Sequence, residues 1–279
     1  MIIYFGPGGR LGNLLFQLAY LQKVRRPGEK VWTTGMSGLR RFLVPPIWLR
    51  DFSGPFALGI EKKVLKPLFV QILTRFGIIS SRFENNGSWT EKHGLFRGIL
   101  YVHGYFQAEA VPQNSAESWL IRQSWKAQAA RLAAQYPGPR YFVHIRLTDY
   151  RSVEVYGKKD ASLPLEYFRR AWDRVLPRIG EPWLFVFSDD PFSVRNLFSR
   201  YPKAVFWSNS AEVDLLLMGS CNGGILSNSS YSWWGAFFTD KTLPLVAPRY
   251  WMGYKSRKLA PAGFQIPFAE EMDVPYEEA

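Results

Sequence analysis

The sequence predicts an α/β protein of two domains, the second a doubly wound parallel sheet. Three observations carry that expectation. Downstream of Pro137-Gly138, short apolar runs alternate regularly with helix-compatible stretches. The N-terminus reads as strand, glycine-rich turn and helix. Polar residues gather at the ends of three of the strand-like runs in the second half, where ligands of such sheets sit.

In order along the chain, Ile2-Ile3-Tyr4-Phe5 has the apolar character of a short buried strand, and Gly6 to Asn13 forms a glycine-rich turn. The apolar spacing of Leu14, Leu15, Leu18, Ala19 and Leu21 fits a helix over 14–26, stopped by Pro27. The glycines lack the dinucleotide spacing, and no Walker lysine follows them. Residues 38–78 are basic, apolar and broken by prolines. Within them Val64, Leu65, Leu68, Phe69, Ile72, Leu73 and Phe76 could line one helical face, ringed by Lys62, Lys63, Lys66 and Arg75. That pattern fits a surface helix packed on the core, and also a helix lying on a membrane. Ile99 to Val102 reads as a strand and Ser115 through Gln135 as a helix. Tyr136-Pro137-Gly138-Pro139 then marks the boundary between domains 1–137 and 138–279.

In the second domain the expected strands are Tyr141–Arg146, Trp183–Phe187, Ala204–Trp207, Gly224–Leu226 and Leu243–Ala247. The helices fall near Pro164–Leu176, Pro191–Tyr201, Ala211–Cys221 and Tyr231–Thr239. The chain holds 279 residues, 47% hydrophobic and 21% charged, a globular balance with ample core. Its net charge of +12 points to an anionic partner: nucleic acid, an anionic membrane, or a phosphorylated small molecule. The aromatic residues fall in strands and core-like helices rather than between lysines and arginines, which argues against nucleic acid. The single cysteine, Cys221, allows no intrachain disulfide, and with three histidines makes a structural zinc site improbable. No signal-peptide pattern opens the chain and no apolar run is long enough to span a bilayer. The expectation is a cytoplasmic protein, with peripheral contact at the inner membrane as an option.

The chemistry concentrates at the strand ends. His144 and Arg146 alternate along one strand and so share a face. A guanidinium there can grip a diphosphate through two parallel hydrogen bonds, or pair with Asp149. The imidazole can bond a base or a phosphate oxygen, or sit in the core against backbone. On continued strand alternation, Asp149 falls on the face opposite Arg146. Ser188-Asp189-Asp190 closes the next strand. Either aspartate could bond a guanine edge or ribose hydroxyls, and Asp190 could equally cap the helix opening at Pro191. The run Ser227-Asn228-Ser229-Ser230-Tyr231-Ser232-Trp233-Trp234-Gly235 joins a strand to a helix N-terminus. It suits a phosphate, and also an N-cap with a hydrophobic staple.

These stretches, together with three others, resemble the motifs of the α-1,2-fucosyltransferases of bacterial polysaccharide and blood-group antigen synthesis, glycosyltransferase family 11. Gly9-Arg10-Leu11-Gly12-Asn13-Leu14-Leu15-Phe16-Gln17 is similar to that family's opening Gly-x-Gly-Asn-x-x-Phe-Gln motif. Gly104-Tyr105-Phe106-Gln107 and His144-Ile145-Arg146-Leu147-Thr148-Asp149-Tyr150 resemble two further motifs. Phe187 to Asp190, Ser227 to Gly235 and Val246 to Trp251 match its later ones. The resemblance covers most of the chain outside 27–95. It implies a GT-B arrangement of two Rossmann-like domains, acceptor contacts from the first and GDP-fucose held mainly by the second. It further implies inverting transfer of L-fucose to a hydroxyl, the 2-OH of galactose, on an oligosaccharide or lipid-linked acceptor, with no required metal and no cofactor beyond the donor.

By position, His144 and Asp190, with Ser188, would serve the guanosine side. Arg146 and the Asn228-Ser229-Ser230 turn would hold the diphosphate, and Asn13 would approach the β-phosphate. Asp149 is the carboxylate available as base. One departure stands out: Leu147 replaces the family's usual second arginine, removing a charge while facing the other side of the strand. That leaves open another GDP-linked deoxysugar as donor, or a degenerate basic protein that binds membrane surfaces.

Overall fold

The computed structural model describes residues 1–51, 72, 73, 75, 76, 78–85, 87–109, 111, 116, 117 and 119–276. The chain divides into two compact units, Met1–Arg122 and Gln123–Ala279. The division falls earlier than the proline-glycine break at 136–139. Helix Gln123–Ala133 packs against helix Ala211–Gly219, and the Arg140 guanidinium donates to the carbonyls of Ala133, Tyr136 and Ser220, fastening this segment to the second unit.

The first unit is built on a six-stranded sheet. Its strands are β1 (Ile2–Phe5), β2 (Val31–Thr34), β4 (Leu49–Asp51), β5 (Ile79–Asn85), β6 (Ser88–Lys92) and β7 (Phe96–His103), in spatial order β4-β2-β1-β7-β5-β6. All neighbours are parallel except the β5–β6 hairpin. Helix α1 (Leu11–Val24) follows β1, starting three residues earlier than its apolar spacing suggests, and buries Leu14, Leu15, Phe16, Leu18 and Leu21. A short helix α2 (Leu39–Phe42) leads into β3 (Leu43–Val44), which pairs antiparallel with β8 (Leu120–Ile121). This pairing shortens the helix expected over 115–135: 120–121 are extended, and α3 covers only Gln123–Ala133. The amphipathic helix expected across 64–76 lies outside the described residues apart from 72, 73, 75 and 76.

The second unit carries six parallel strands in the order β13-β12-β9-β14-β15-β16. They are β9 (Arg140–Ile145), β12 (Trp183–Ser188), β13 (Ala204–Trp207), β14 (Gly223–Ile225), β15 (Leu245–Pro248) and β16 (Glu270–Met272), with a small hairpin β10–β11 (Glu154–Val155, Lys158–Lys159) outside the sheet. Helices α4 (Leu165–Ile179), α5 (Pro191–Val194), α6 (Ala211–Gly219) and α7 (Ser230–Phe238) alternate with the strands. The helix expected over 191–201 closes after one turn, continuing as 3-10 helix over Arg195–Leu197. One face of β9 supplies Tyr141, Val143, Ile145 and the following Leu147 to a core shared with Tyr167, Phe168, Ala171, Trp172 and Val175 of α4. On β14, a side chain at Gly224 would run into the Phe142 ring, so only glycine allows these central strands to lie together.

Both sheets reverse direction at a definite point. In the second, the chain lays β12 and β13 on one side of β9 and then returns to place β14 on the other. In the first, β2 and β4 lie on one side of β1 and β7 on the other. Crevices for ligands form beyond the carboxyl ends of strands at such reversals.

Candidate functional site

At the reversal in the second unit, His144 near the end of β9 meets Ser227 just past β14, with Nδ1 2.8 Å from the serine Oγ. His144 is buried, and the Tyr231 ring of α7 lies 5.3 Å from the imidazole, centroid to centroid. Burial drives the imidazole pKa down to about 4, more strongly than the Asp189 charge raises it, so the ring is neutral at neutral pH. Neutral, it can orient a ligand or a hydroxyl through one ring N–H donor and one acceptor nitrogen.

Arg146 lies one residue past β9 with its guanidinium 14% exposed. It pairs with Asp149 at 2.7 Å and Asp189 at 3.2 Å, and sits over the Tyr150 ring at 6.0 Å. Asp149 is therefore on the same side as Arg146, against the strand alternation. The strand stops at Ile145, and Asp149 opens a 3-10 turn, Asp149–Ser152, that brings it back three residues later. Asp189 receives the backbone N–H of Leu147 at 2.9 Å and of Thr148 at 3.1 Å, and also the Thr148 hydroxyl. Burial would raise its pKa, but the Thr148 and Leu147 donors and the Arg146 charge outweigh that and hold it below the usual carboxylate range. Asp189 thus locks the bend after β9. Asp190 takes the capping role, accepting from the Ser193 N–H and hydroxyl at 3.2 and 2.6 Å, with Arg151 at 3.4 Å. Those Ser193 donors lower its pKa. The Ser188 hydroxyl is also engaged locally, accepting from the Asp190 N–H at 3.0 Å.

The serine-rich turn is almost wholly interior. Ser227, Asn228 and Ser232 are fully buried, and Ser229 is 6% exposed. Ser229 is the N-cap of α7, accepting from the Tyr231 N–H. Asn228 donates its side-chain amide to the Ala161 carbonyl at 2.7 Å, while its Oδ1 is buried without a partner. Its amide is thus engaged with the protein's own backbone. What the turn presents to an anion is the N-terminal end of α7, Ser230 in its first position, with the positive end of the helix dipole. Tyr150 ties this turn to the arginine: its hydroxyl donates to the Asn228 carbonyl at 3.4 Å while its ring lies beneath Arg146. Sequence reasoning gave no role to Tyr150, Thr148 and Ser227, although each lies inside a quoted motif.

Leu147 is 4% exposed in the core beside Ile145 and Leu163. The position of the missing arginine is thus filled by packing, and only its backbone N–H faces the site.

Asn13 belongs to the first unit, and the cluster around Arg146 to the second. Asn13 stands at the reversal between β1 and β7, accepting from the Gln107 amide at 2.8 Å. The Glu84 carboxylate receives the N–H groups of Tyr105 and Phe106, and Tyr4 donates its hydroxyl to the Gly104 carbonyl at 2.8 Å. Phe106 needs that support, because its φ of 57° is left-handed and strained for an aromatic residue.

The model of glycosyl transferase family 11 matches residues 91–260, more than half of the chain. The chain belongs to glycosyl transferase family 11. The matched stretch contains Gly104–Gln107, His144–Tyr150, Ser188–Asp190 and Ser227–Gly235; Asn13 precedes it. The chain is 36% identical over 116 residues to the O-antigen biosynthesis glycosyltransferase WbnK of Escherichia coli, a match spanning 39% of this chain and only 38% of that protein. It is 27% identical over 265 residues to an alpha-1,2-colitosyltransferase of Escherichia coli, covering 87% of this chain and 90% of that one.

Among solved structures, NodZ α-1,6-fucosyltransferase of Bradyrhizobium, in crystals soaked with GDP-fucose, superposes with a TM-score of 0.54 at 11% identity, covering 85% of this chain and 92% of NodZ. A glycosyl transferase family 9 protein of Veillonella parvula gives 0.53 at 13% identity, over 100% and 88%. The fold is of the GT-B type, two Rossmann-like units, and the family to which the chain belongs is one of glycosyl transferases. No helix among the described residues is long and apolar enough to cross a membrane, and no group of three or more His, Cys, Asp or Glu residues there is placed to hold a metal ion.

Proposed function

We propose that this glycosyltransferase moves L-fucose from GDP-fucose to a hydroxyl of an oligosaccharide or lipid-linked acceptor, the 2-OH of galactose, with inversion and without a metal. The observation that carries the reading is the linkage of Arg146, through Tyr150, to the serine turn and the N-terminus of α7 at the reversal between β9 and β14. Breaking the sugar–phosphate bond leaves growing negative charge on the diphosphate. A guanidinium and a helix N-terminus are fixed donors for it, each such donor worth about 2.7–4 kcal/mol to a transition state. His144, neutral and buried, and Asp190 with Ser188 serve the guanosine side, and Asn13 of the first unit meets the β-phosphate. Asp149, 44% exposed beside Arg146, takes the proton of the attacking hydroxyl.

A second reading keeps the site and changes the sugar. The colitosyltransferase resembles this chain along most of its length, which favours another GDP-linked deoxysugar, colitose, as the competing donor.

Thermal unfolding with GDP, GDP-fucose, UDP and ADP, in the presence of a chelator, tests the donor. Stabilisation by the two guanosine ligands alone supports the assignment, since a ligand of the native state raises its melting point. Equal shifts with all four, or none, sink it. Turnover of GDP-fucose against GDP-colitose separates the two sugars. Arg146→Ala should abolish transfer in a folded protein, and undiminished turnover would remove Arg146 from the mechanism.

A further inference from the structure

The outer edge of the first sheet holds a feature that the transfer reaction does not use. Strands β2 and β4 pair Val31 with Leu49, Trp32 with Arg50 and Thr33 with Asp51. The alternation sends Val31, Leu49 and Thr33 inward and leaves Trp32, 44% exposed, beside an exposed Arg50. Lys30, Arg40 and the Pro45-Pro46-Ile47 corner join them around a cleft of about 620 Å³. Ile47 projects from its rim with 87% of its surface in solvent. Val44 and Leu120, partners across β3 and β8, add 45% and 68% exposure close by. Isoleucine, valine and leucine rarely stand out together on a surface that has only water to meet.

Among the described residues, the exposed charges lining this cleft are the cations Lys30, Arg40 and Arg50. The carboxylate in the cleft, Asp51, is turned inward with its side chain 4% exposed, accepts from Thr33 at 3.3 Å, and lies 3.8 Å from Arg40. Glu29, next to Lys30, is taken by the N-terminal ammonium at 2.6 Å. Among the described residues, Lys30 and Arg50 have no anionic partner of their own.

We propose that this edge is the face by which the protein sits on an anionic phospholipid bilayer. Ile47, Val44 and Leu120 enter the headgroup layer, Trp32 lies at the interface, and Lys30 and Arg50 rest on lipid phosphates. Aromatic residues flanked by cations with an apolar tip are the composition that interfaces select. A soluble acidic ligand would use the cations but leave Ile47 and Leu120 in water. The proposal is independent of the donor assignment, since it draws on no residue of the second unit.

The test is cosedimentation of the full chain, at low salt, with vesicles of phosphatidylcholine alone or mixed with phosphatidylglycerol. Binding should require phosphatidylglycerol. Lys30→Gln and Arg50→Gln should each lower the partition coefficient about fivefold, and Ile47→Ser should lower it with no change of charge. The pair Arg195→Gln and Arg200→Gln, exposed cations of the second unit, removes the same charge elsewhere and should cost much less. Melting points and transfer to a soluble acceptor should stay as in the wild type, showing that the variants are folded and the donor site intact. The proposal is overturned if the protein ignores anionic vesicles, if the control pair weakens binding as much as the Lys30 and Arg50 pair, or if Ile47→Ser binds like wild type. Capture of a soluble polyanionic glycan through Lys30 and Arg50 without vesicle binding would overturn it too, and mark the cleft as a saccharide site.

Discussion

Mild acidification, above the range where the carboxylates titrate, should weaken this fold through His144. His144 is buried against Ser227 and Tyr231, with the Asp189 charge nearby, and its pKa falls from 6.5 to about 4. In the unfolded chain the same imidazole takes up a proton near pH 6.5, whereas in the folded protein it does not until about pH 4. Between those values the unfolded state binds more protons, so stability rises with pH across the window and falls as pH drops through it. At about 1.36 kcal/mol for each tenfold difference in proton affinity between the two states, the loss from neutral pH to about pH 4 approaches roughly 3 kcal/mol, and levels off below that. Urea melts from about pH 7.5 to about pH 4 would measure it, with His144→Gln as the comparison. The variant is less stable at neutral pH, having lost the fitted ring, but the difference between the two curves should shrink by roughly 3 kcal/mol on acidification. Parallel curves for the two proteins would refute the reasoning, because they would mean that His144 titrates alike in both states.

Three other outcomes follow from the geometry. Asp189→Asn keeps the shape but puts an amide N–H where Oδ2 faces the Thr148 N–H and Arg146. It should cost about 2–4 kcal/mol, read by thermal unfolding, and a melting point equal to wild type would show that the bend after β9 holds without it. Leu147→Arg, which restores the family's usual residue, should destabilise rather than activate, by about 3 kcal/mol or more. The side chain would enter the core among Ile145 and Leu163, and a folded, more active variant would refute that. Glu84→Ala removes the acceptor of the Tyr105 and Phe106 amides and should loosen the strained loop at Phe106. Faster hydrogen exchange confined to 104–107 would register it, and unchanged exchange would show that Tyr4 and Gln107 suffice.

The second half of the fold was the more legible in the sequence, and the reason is burial. Stretches such as Tyr141–Val143 and Trp183–Phe187 are continuous apolar runs because helices cover both faces of their strands. The hairpin Ile79–Lys92 left no such trace: every residue of Ser88–Lys92 is exposed, so nothing in its pattern demanded a strand. The extended pair at Leu120–Ile121 was hidden because its partner, Leu43–Val44, lies far away in sequence and the local pattern runs on as helix. At the site, residue identities could be read but not their partners. Asp190 as cap followed from Pro191 beside it, whereas Asp189 accepting from Leu147 and Thr148 depends on a contact across about forty positions. Asp149 was placed on the wrong side because alternation was carried past the end of the strand.

The double pairing of Arg146 shapes how any anion can be received there. One guanidinium between Asp149 and Asp189 leaves the trio with a local charge of −1. A diphosphate arriving at this spot cannot simply replace loosely held chloride, as it would at an isolated arginine. It has to exchange places with a carboxylate that the protein itself supplies, and Asp149, the more exposed of the two and on a short turn, is the one able to swing away. Association through Arg146 should then respond weakly to added salt, because no mobile counterion is released by that residue. Occupancy by the anion would also free a carboxylate at the moment the ligand is seated, coupling the arrival of one substrate to the availability of a base for the other.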